Sequence, residues 1–240
     1  MSIIKISGTL WYGIFNAIGY LAATIIFCIE AKRKKFPLEI LLYVLFGALL
    51  GGLIGSRLGS ALFVYQGYYS KHFSDLFVPQ VGGKTLVGGL IGGCIGVIIA
   101  KKILKFNRST GDLFAPGLAI AIAIGRIGCC LNGCCYGIPT NLPWGVVFKG
   151  VVSHPTQIYE SIFCLGLFIY LWLVRKKVNK EGDLFKIFLL LYAFFRFWIE
   201  FLRADKVIMA FHLSIAQIVS SFIFIVLAFY FLRAKKEVDK

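Results

Sequence analysis

The sequence predicts an all-α, polytopic integral membrane protein of about seven transmembrane helices, N-terminus outside and C-terminus in the cytoplasm. Three observations predict it. The 240 residues are 59% hydrophobic and only 15% charged, against the ~45–50% and ~25% usual in soluble domains. The apolar residues fall in runs long enough to cross ~30 Å of hydrocarbon, which takes ~20 helical residues. Finally, the basic residues gather in alternate loops between those runs.

The apolar runs are Leu10–Ile29, Leu38–Tyr65, Leu86–Ala100, Phe114–Leu131, Gln157–Val174, Leu184–Phe201 and Leu213–Leu232. The third is short. The fourth is interrupted by glycines and cysteines and reads either as a full span or as a re-entrant segment. One set of loops carries Lys32–Lys35, then Lys101, Lys102, Lys105 and Arg108, then Arg175, Lys176, Lys177, Lys180 and Lys186, and the tail adds Arg233, Lys235, Lys236 and Lys240. The opposite loops and the N-terminus hold fewer: Lys5, Lys71, Lys84, Lys149, Arg203 and Lys206. The positive-inside rule assigns the richer set to the cytoplasm.

The formal net charge of +15 suggests a nucleic-acid binder only until the charges are located. They sit in short blocks between spans, so no nucleic-acid partner is expected. The seven cysteines form no ladder of the secreted type. The first apolar run is too long for a cleaved signal peptide and is followed by a basic block. No soluble domain, repeat or low-complexity tract interrupts the chain, and the longest non-helical stretches, 66–84 and 137–156, fall on the outer side. Gly47, Gly51, Gly52, Gly55 and Gly59 in the second span, and Gly88, Gly89, Gly92, Gly93 and Gly96 in the third, read as helix contacts through small residues. Room for a lipid chain or a flexible gate is the other reading.

Ionisable groups inside apolar runs need an account, because a charge at mid-bilayer costs ~2.5–3.5 kcal/mol on insertion scales. They are Arg57, Arg126, Arg196, Glu160 and Glu200, with Arg203 at the outer end of the sixth run. Arg196 and Glu200 are spaced i, i+4 and can pair on one helical face. The excess of arginine over carboxylate also suits an anion. Arginine stays charged and donates paired bonds to phosphate, and the phosphate carrier in a membrane is a lipid headgroup.

Residues 125–137 read GRIGCCLNGCCYG and hold Arg126, Asn132, Cys129, Cys130, Cys134 and Cys135. If this piece is helical, Cys130 and Cys134 share a face. The spacing is not CxxC and only His72, His154 and His212 are available to help, so neither a metal nor a cofactor is expected. Small thiols packed as hydrophobes, a disulfide near the outer face, and a thiolate activated by Arg126 remain open. Residues 153–160 read SHPTQIYE. His154 before a proline suits a turn. Gln157, Tyr159 and Glu160 then enter the membrane within about a turn, at the depth of a headgroup.

These segments together resemble the bacterial prolipoprotein diacylglyceryl transferase family: LWYG at 10–13, GSRLG at 55–59, TLVGGLIGG at 85–93, GRIGCCLNG at 125–133, HPTQIYE at 154–160 and YAFFRFWIEFLR at 192–203. The resemblance covers most of the chain and implies one transmembrane transferase domain over 1–240, lying in the bacterial cytoplasmic membrane. It implies that a diacylglyceryl group moves from phosphatidylglycerol to a lipobox cysteine in a prolipoprotein signal peptide, giving a thioether and glycerol phosphate, with membrane lipid as surroundings and no cofactor. By resemblance Arg126 binds the lipid phosphate. Tyr192 and Arg196 match an essential pair, Tyr12 matches a site tyrosine, and Arg57, Asn132, Glu160, Glu200 and Arg203 match cavity positions. On this reading Arg196, Tyr192, Tyr12 and Glu160 are catalytic, and Arg126, Arg57, Asn132, His154, Gln157, Glu200 and Arg203 bind substrate.

The chain departs from the family pattern at three places. Val87 stands where the family has a histidine proposed to take the thiol proton. Cys129 replaces the asparagine three residues after the arginine, and Cys134 the acidic residue after Asn-Gly. Either the base is dispensable, since a thiol of pKa ~8.5 is a few per cent ionised at neutral pH, or the lipid site serves another acceptor or a thiol of Cys129, Cys130, Cys134 and Cys135. A non-enzymatic lipid or anion binder is the remaining alternative.

Overall fold

The computed structural model describes residues 2–63, 72, 85–178, 180–206, 208–210 and 212–238. Tyr65, Lys71, Lys84, Lys240 and nearly all of the expected outer loop 66–84 lie outside the described residues. The helices among these residues are α1 (Ser2–Arg33), α2 (Leu38–Phe63), α3 (Leu86–Ile103), α4 (Gly111–Leu131), α5 (Thr156–Val174), α6 (Asp183–Ile199) and α7 (Ile215–Val238). Among the described residues, five segments are long and apolar enough to cross a membrane: Gly8–Arg33, Glu39–Leu62, Gly111–Leu131, Thr156–Val174 and Ile215–Ala234. The helices α3 and α6, of 18 and 17 residues, are not among them. The protein is therefore a mostly helical, polytopic membrane protein. Its outward surface fits that reading, with Ile103 75%, Leu173 69% and Phe222 69% exposed. Such faces are stable against lipid tails, not water.

The helix ends are written locally. Lys32 and Arg33 close α1, and Lys101 and Lys102 close α3, where cations complement the negative helix terminus. The helix α4 runs unbroken through Gly125, Gly128, Cys129 and Cys130, so the glycine and cysteine run interrupts nothing. It stops in a Schellman motif: Cys134 N–H donates to Cys129 O and Gly133 N–H to Cys130 O, with Gly133 at φ 65°. Glycine enters that left-handed conformation without steric cost. The start of α6 is capped from another helix. Asp112 of α4 accepts from the backbone N–H of Gly182 at 2.9 Å and of Phe185 at 3.2 Å.

Two compact units are formed. Residues Ala31–Arg108 make one and Met1–Glu30 with Ser109–Lys240 the other. In the first, α2 packs along α3 through facing glycines. A Cβ added at Gly92 would stand 2.7 Å from the Gly55 Cα, so the expected small-residue contact is the one the structure uses. Val87 and the buried Arg57 belong to this unit. In the second, α4 packs on α5 and α6, and α6 on α7. Glu30, fully buried, pairs with Arg175 at 2.9 Å, a carboxylate that reading the sequence did not count among the buried ones.

Several expected boundaries shift. The sixth helix ends at Ile199 and continues as a 3-10 turn, Glu200–Leu202. Leu213 lies in a strand, not in the last helix. The fold is also not purely helical. The segment 137–156 contains the antiparallel ladder β1 (Val146–Phe148) with β2 (Val151–Ser153), and β3 (Ile208–Ala210) pairs with β4 (Leu213–Ser214). The β1–β2 turn is Lys149–Gly150, with φ 51° and 84°, the mirror-image turn that matches strand twist. Residues 137–140 lie against β2 and against the chain after α6, through Gly137 N–H to His154 O, Ile138 N–H to Leu202 O and Thr140 N–H to Val152 O. This small β structure ties the ends of α4, α5 and α6 together.

Candidate active site

Glu160, one turn into α5 and only 1% exposed, is the hub. Its Oε1 accepts from Arg126 Nη2 of α4 at 2.8 Å and from the Tyr192 hydroxyl of α6 at 2.8 Å. Its Oε2 stands 3.9 Å from Arg196 Nη1, also on α6. Arg196 reaches the other way as expected from its spacing: Nη2 is 2.6 Å from Glu200 Oε2, out of line for a hydrogen bond. Glu200 in turn accepts from the Ser214 hydroxyl at 3.0 Å and lies 3.8 Å from Arg203 Nε. The series ends at Arg203, which donates Nε and Nη2 to the two oxygens of Asp205 at 3.0 and 2.8 Å.

Alternating charge makes this chain tolerable in a low-dielectric interior, since an unpaired buried ion costs several kcal/mol. The pairing is nonetheless incomplete. Asp205 is 49% exposed at its side chain, so the buried part sets three guanidiniums against two carboxylates. Arg196 Nη1 is buried and makes no hydrogen bond. It is a charged donor without an acceptor, and an incoming anion can complete it.

The other expected site residues sit around this chain in different ways. Gln157 donates Nε2 to the Cys134 carbonyl at 2.6 Å, while its buried Oε1 has no hydrogen-bond partner. Thr156 donates to the Cys135 carbonyl at 2.7 Å. His154 belongs to a separate group: its Nδ1 is 3.3 Å from the Tyr159 hydroxyl, which accepts from Trp144 Nε1 at 2.8 Å. Asn132 is exposed and ends α4 as its C-cap. Tyr12 is half-buried on α1, within electrostatic reach of Cys129, Cys134 and Cys135. Arg57 lies in the other unit.

The cysteines group differently from the expectation. The helix stops at Leu131, so Cys130 and Cys134 do not share a helical face. The sulfurs of Cys129, Cys134 and Cys135 instead lie within 4.8 Å of one another, and no disulfide joins them. Hydrogen bonds from Cys129 and Cys134, followed by the charges of Arg203 and Arg126, hold the Cys135 thiol well below its ordinary range. Reading the sequence missed Ser214, Asp205, Thr156 and Trp144. Two of them carried a signal: Thr156 inside HPTQIYE at 154–160, and Asp205 two residues from Arg203.

Known proteins resemble this chain over most of its length. The family model described as prolipoprotein diacylglyceryl transferase matches residues 2–233. A phosphatidylglycerol–prolipoprotein diacylglyceryl transferase of Clostridioides difficile (strain 630) is 38% identical over 212 residues, 88% of this chain and 85% of that protein. One from Finegoldia magna is 34% identical over 236 residues, 96% and 93% of the two chains. Another, from Geobacter sulfurreducens, is 33% identical over 204 residues, 80% and 77%. A match of this extent, over a chain whose arginines and carboxylates interlock across α4, α5 and α6, makes the protein a member of the prolipoprotein diacylglyceryl transferase family.

Proposed function

We propose that this chain transfers the diacylglyceryl group of phosphatidylglycerol to the thiol of a prolipoprotein lipobox cysteine. The single observation that carries the mechanism is the buried, unpartnered Arg196 Nη1 within the Arg126–Glu160–Arg196–Glu200–Arg203 chain. The acceptor sulfur attacks the glyceryl carbon, the carbon–oxygen bond to the phosphate breaks, and glycerol phosphate leaves with the electron pair. The thiol proton passes to water or to the leaving phosphate. Arg126 and Arg196 hold the charge growing on the phosphate, which is where preorganised donors act most strongly. Tyr192 and Glu160 fix those guanidiniums in place. Glu200 and Arg203 extend the support, and Asn132, His154, Gln157 and Tyr12 line the path of lipid and peptide; Arg57 is assigned to substrate binding by the family resemblance alone.

No residue of the family's base type stands at Val87. The acceptor thiol therefore ionises by its own acidity, with pKa ~8.5. The Cys129–Cys135 thiols are not needed for this chemistry. The same reading places one transferase domain over residues 1–240 in the bacterial cytoplasmic membrane, with seven spans, the N-terminus outside and the C-terminus inside. The basic ends of α1 and α3 and the Arg175–Lys177 turn after α5 support that direction. Its partners are phosphatidylglycerol and prolipoprotein signal peptides in membrane lipid, without nucleic acid.

The test is expression of the chain in bacteria depleted of their own transferase. Restored thioether modification of a reporter lipoprotein is expected. Good membrane expression without modification would overturn the proposed acceptor.

A further inference from the structure

We infer that Cys129, Cys134 and Cys135 form a three-thiolate site for a soft d10 metal cation, of the class of zinc(II), cadmium(II) or copper(I). Three sulfurs within 4.8 Å of one another are already close to a ligand shell. Metal–sulfur bonds of about 2.3 Å in tetrahedral geometry set the sulfurs about 3.8 Å apart, so small side-chain rotations close the site. Thiolates select this class of cation over harder ones.

The backbone builds the cluster. The Schellman turn at the end of α4 brings the side chain two residues past its cap back over the last helical turn, a place where apolar residues usually meet. Here the meeting pair is Cys134 and Cys129, linked by the 3.1 Å bond from Cys134 N–H to Cys129 O. Cys135 follows at φ 63°, a left-handed conformation that is sterically unfavourable for a residue with a Cβ. It turns the third thiol toward the other two.

Buried side chains hold this arrangement from behind. Gln157, 1% exposed, bonds the Cys134 carbonyl at 2.6 Å, and Thr156, 2% exposed, bonds the Cys135 carbonyl at 2.7 Å. Support of this kind orients ligands and strengthens metal binding. Three thiolates with a mono- or divalent cation leave a net negative charge, and Arg203 and Arg126 are cations within electrostatic reach of the Cys135 sulfur. The three thiols are half-buried, which leaves an entry path. Cys130, next to Cys129 in sequence, is not in the group.

The test uses the full chain in detergent, reduced, freed of reductant without oxygen, and titrated with Cd²⁺ alone. A thiolate-to-cadmium absorption band that saturates at a single equivalent is expected. Cys129→Ser, Cys134→Ser and Cys135→Ser each abolish it, and Cys130→Ser retains it. Because a variant can misfold, the wild-type chain is also alkylated with and without Cd²⁺. Protection of those three cysteines, with Cys130 still modified, is expected from mass spectrometry. The site is overturned if the reduced wild type gives no band and no protection. It is equally overturned if the band survives loss of all three thiols, or if Cys130→Ser removes it as completely.

Discussion

Arg126 on α4 and Glu160 on α5 stand 2.8 Å apart, and Glu160 also receives the Tyr192 hydroxyl of α6 at 2.8 Å. One buried carboxylate therefore sets the relative positions of three helices. Arg126 and Arg196 carry the proposed phosphate site, so the geometry of that site depends on a residue that need not touch the substrate.

Glu160→Gln keeps the shape of the hub and removes its charge. Breaking a buried pair costs about 3–5 kcal/mol, and here two guanidiniums lose their shared partner. Glycerol phosphate release from labelled phosphatidylglycerol is expected to fall by at least about 10²-fold. The unfolding temperature in detergent falls with it.

Tyr192→Phe removes only the hydroxyl. A hydrogen bond to a charged group contributes about 1.5–3 kcal/mol. The expected result is a loss of activity of about 10–100-fold with an unchanged elution profile. An unchanged rate would mean that Arg126 alone positions Glu160.

Arg196→Lys keeps a cation but not the planar fork that spans Glu160 and Glu200. An ammonium is a compact point charge without the spread of donors that reaches two carboxylates and an anion at fixed angles. Transfer is expected to drop nearly as far in Arg196→Lys as in Arg196→Gln, measured as thioether formed on a lipobox peptide. Full activity of the lysine variant would show that the guanidinium's placement between Glu160 and Glu200 is not needed.

With Val87 in place of a base, the rate follows the acceptor's own ionisation. A thiol of pKa ~8.5 gains thiolate about tenfold per pH unit below that value and then saturates. Single-turnover transfer measured against pH is expected to rise with a slope near one and level off above about pH 8.5. A plateau beginning near neutrality would reveal a base supplied by the protein. Replacing Cys129, Cys130, Cys134 and Cys135 together by serine is expected to leave this profile in place.

Gly92→Ala tests the α2–α3 contact. The added methyl group stands 2.7 Å from the Gly55 Cα, and backbone cannot move aside as a side chain can. Overpacking of this kind costs about 1–3 kcal/mol, read as a lower unfolding temperature. Gly13→Ala, where an added Cβ meets nothing within 4 Å, is the matched control.

Features that are local or compositional were legible along the chain. Apolar runs and their basic ends made the chain a membrane protein. The i, i+4 spacing of Arg196 and Glu200 made their pair, because one helical turn fixes that distance whatever surrounds it. The fourth apolar run ends at Leu131, where the helix ends, and Gly133 after it suits a Schellman stop. Tertiary structure decided what depends on the depth and rotation of one helix against another. No spacing along the chain joins Arg126 to Glu160, or Glu160 to Tyr192, across 34 and 32 residues. Cys130 lost its place beside Cys134 to Cys129 and Cys135 for the same reason. A helix end and a left-handed residue redirect side chains through space, and only the folded backbone shows which thiols, and which charges, come together.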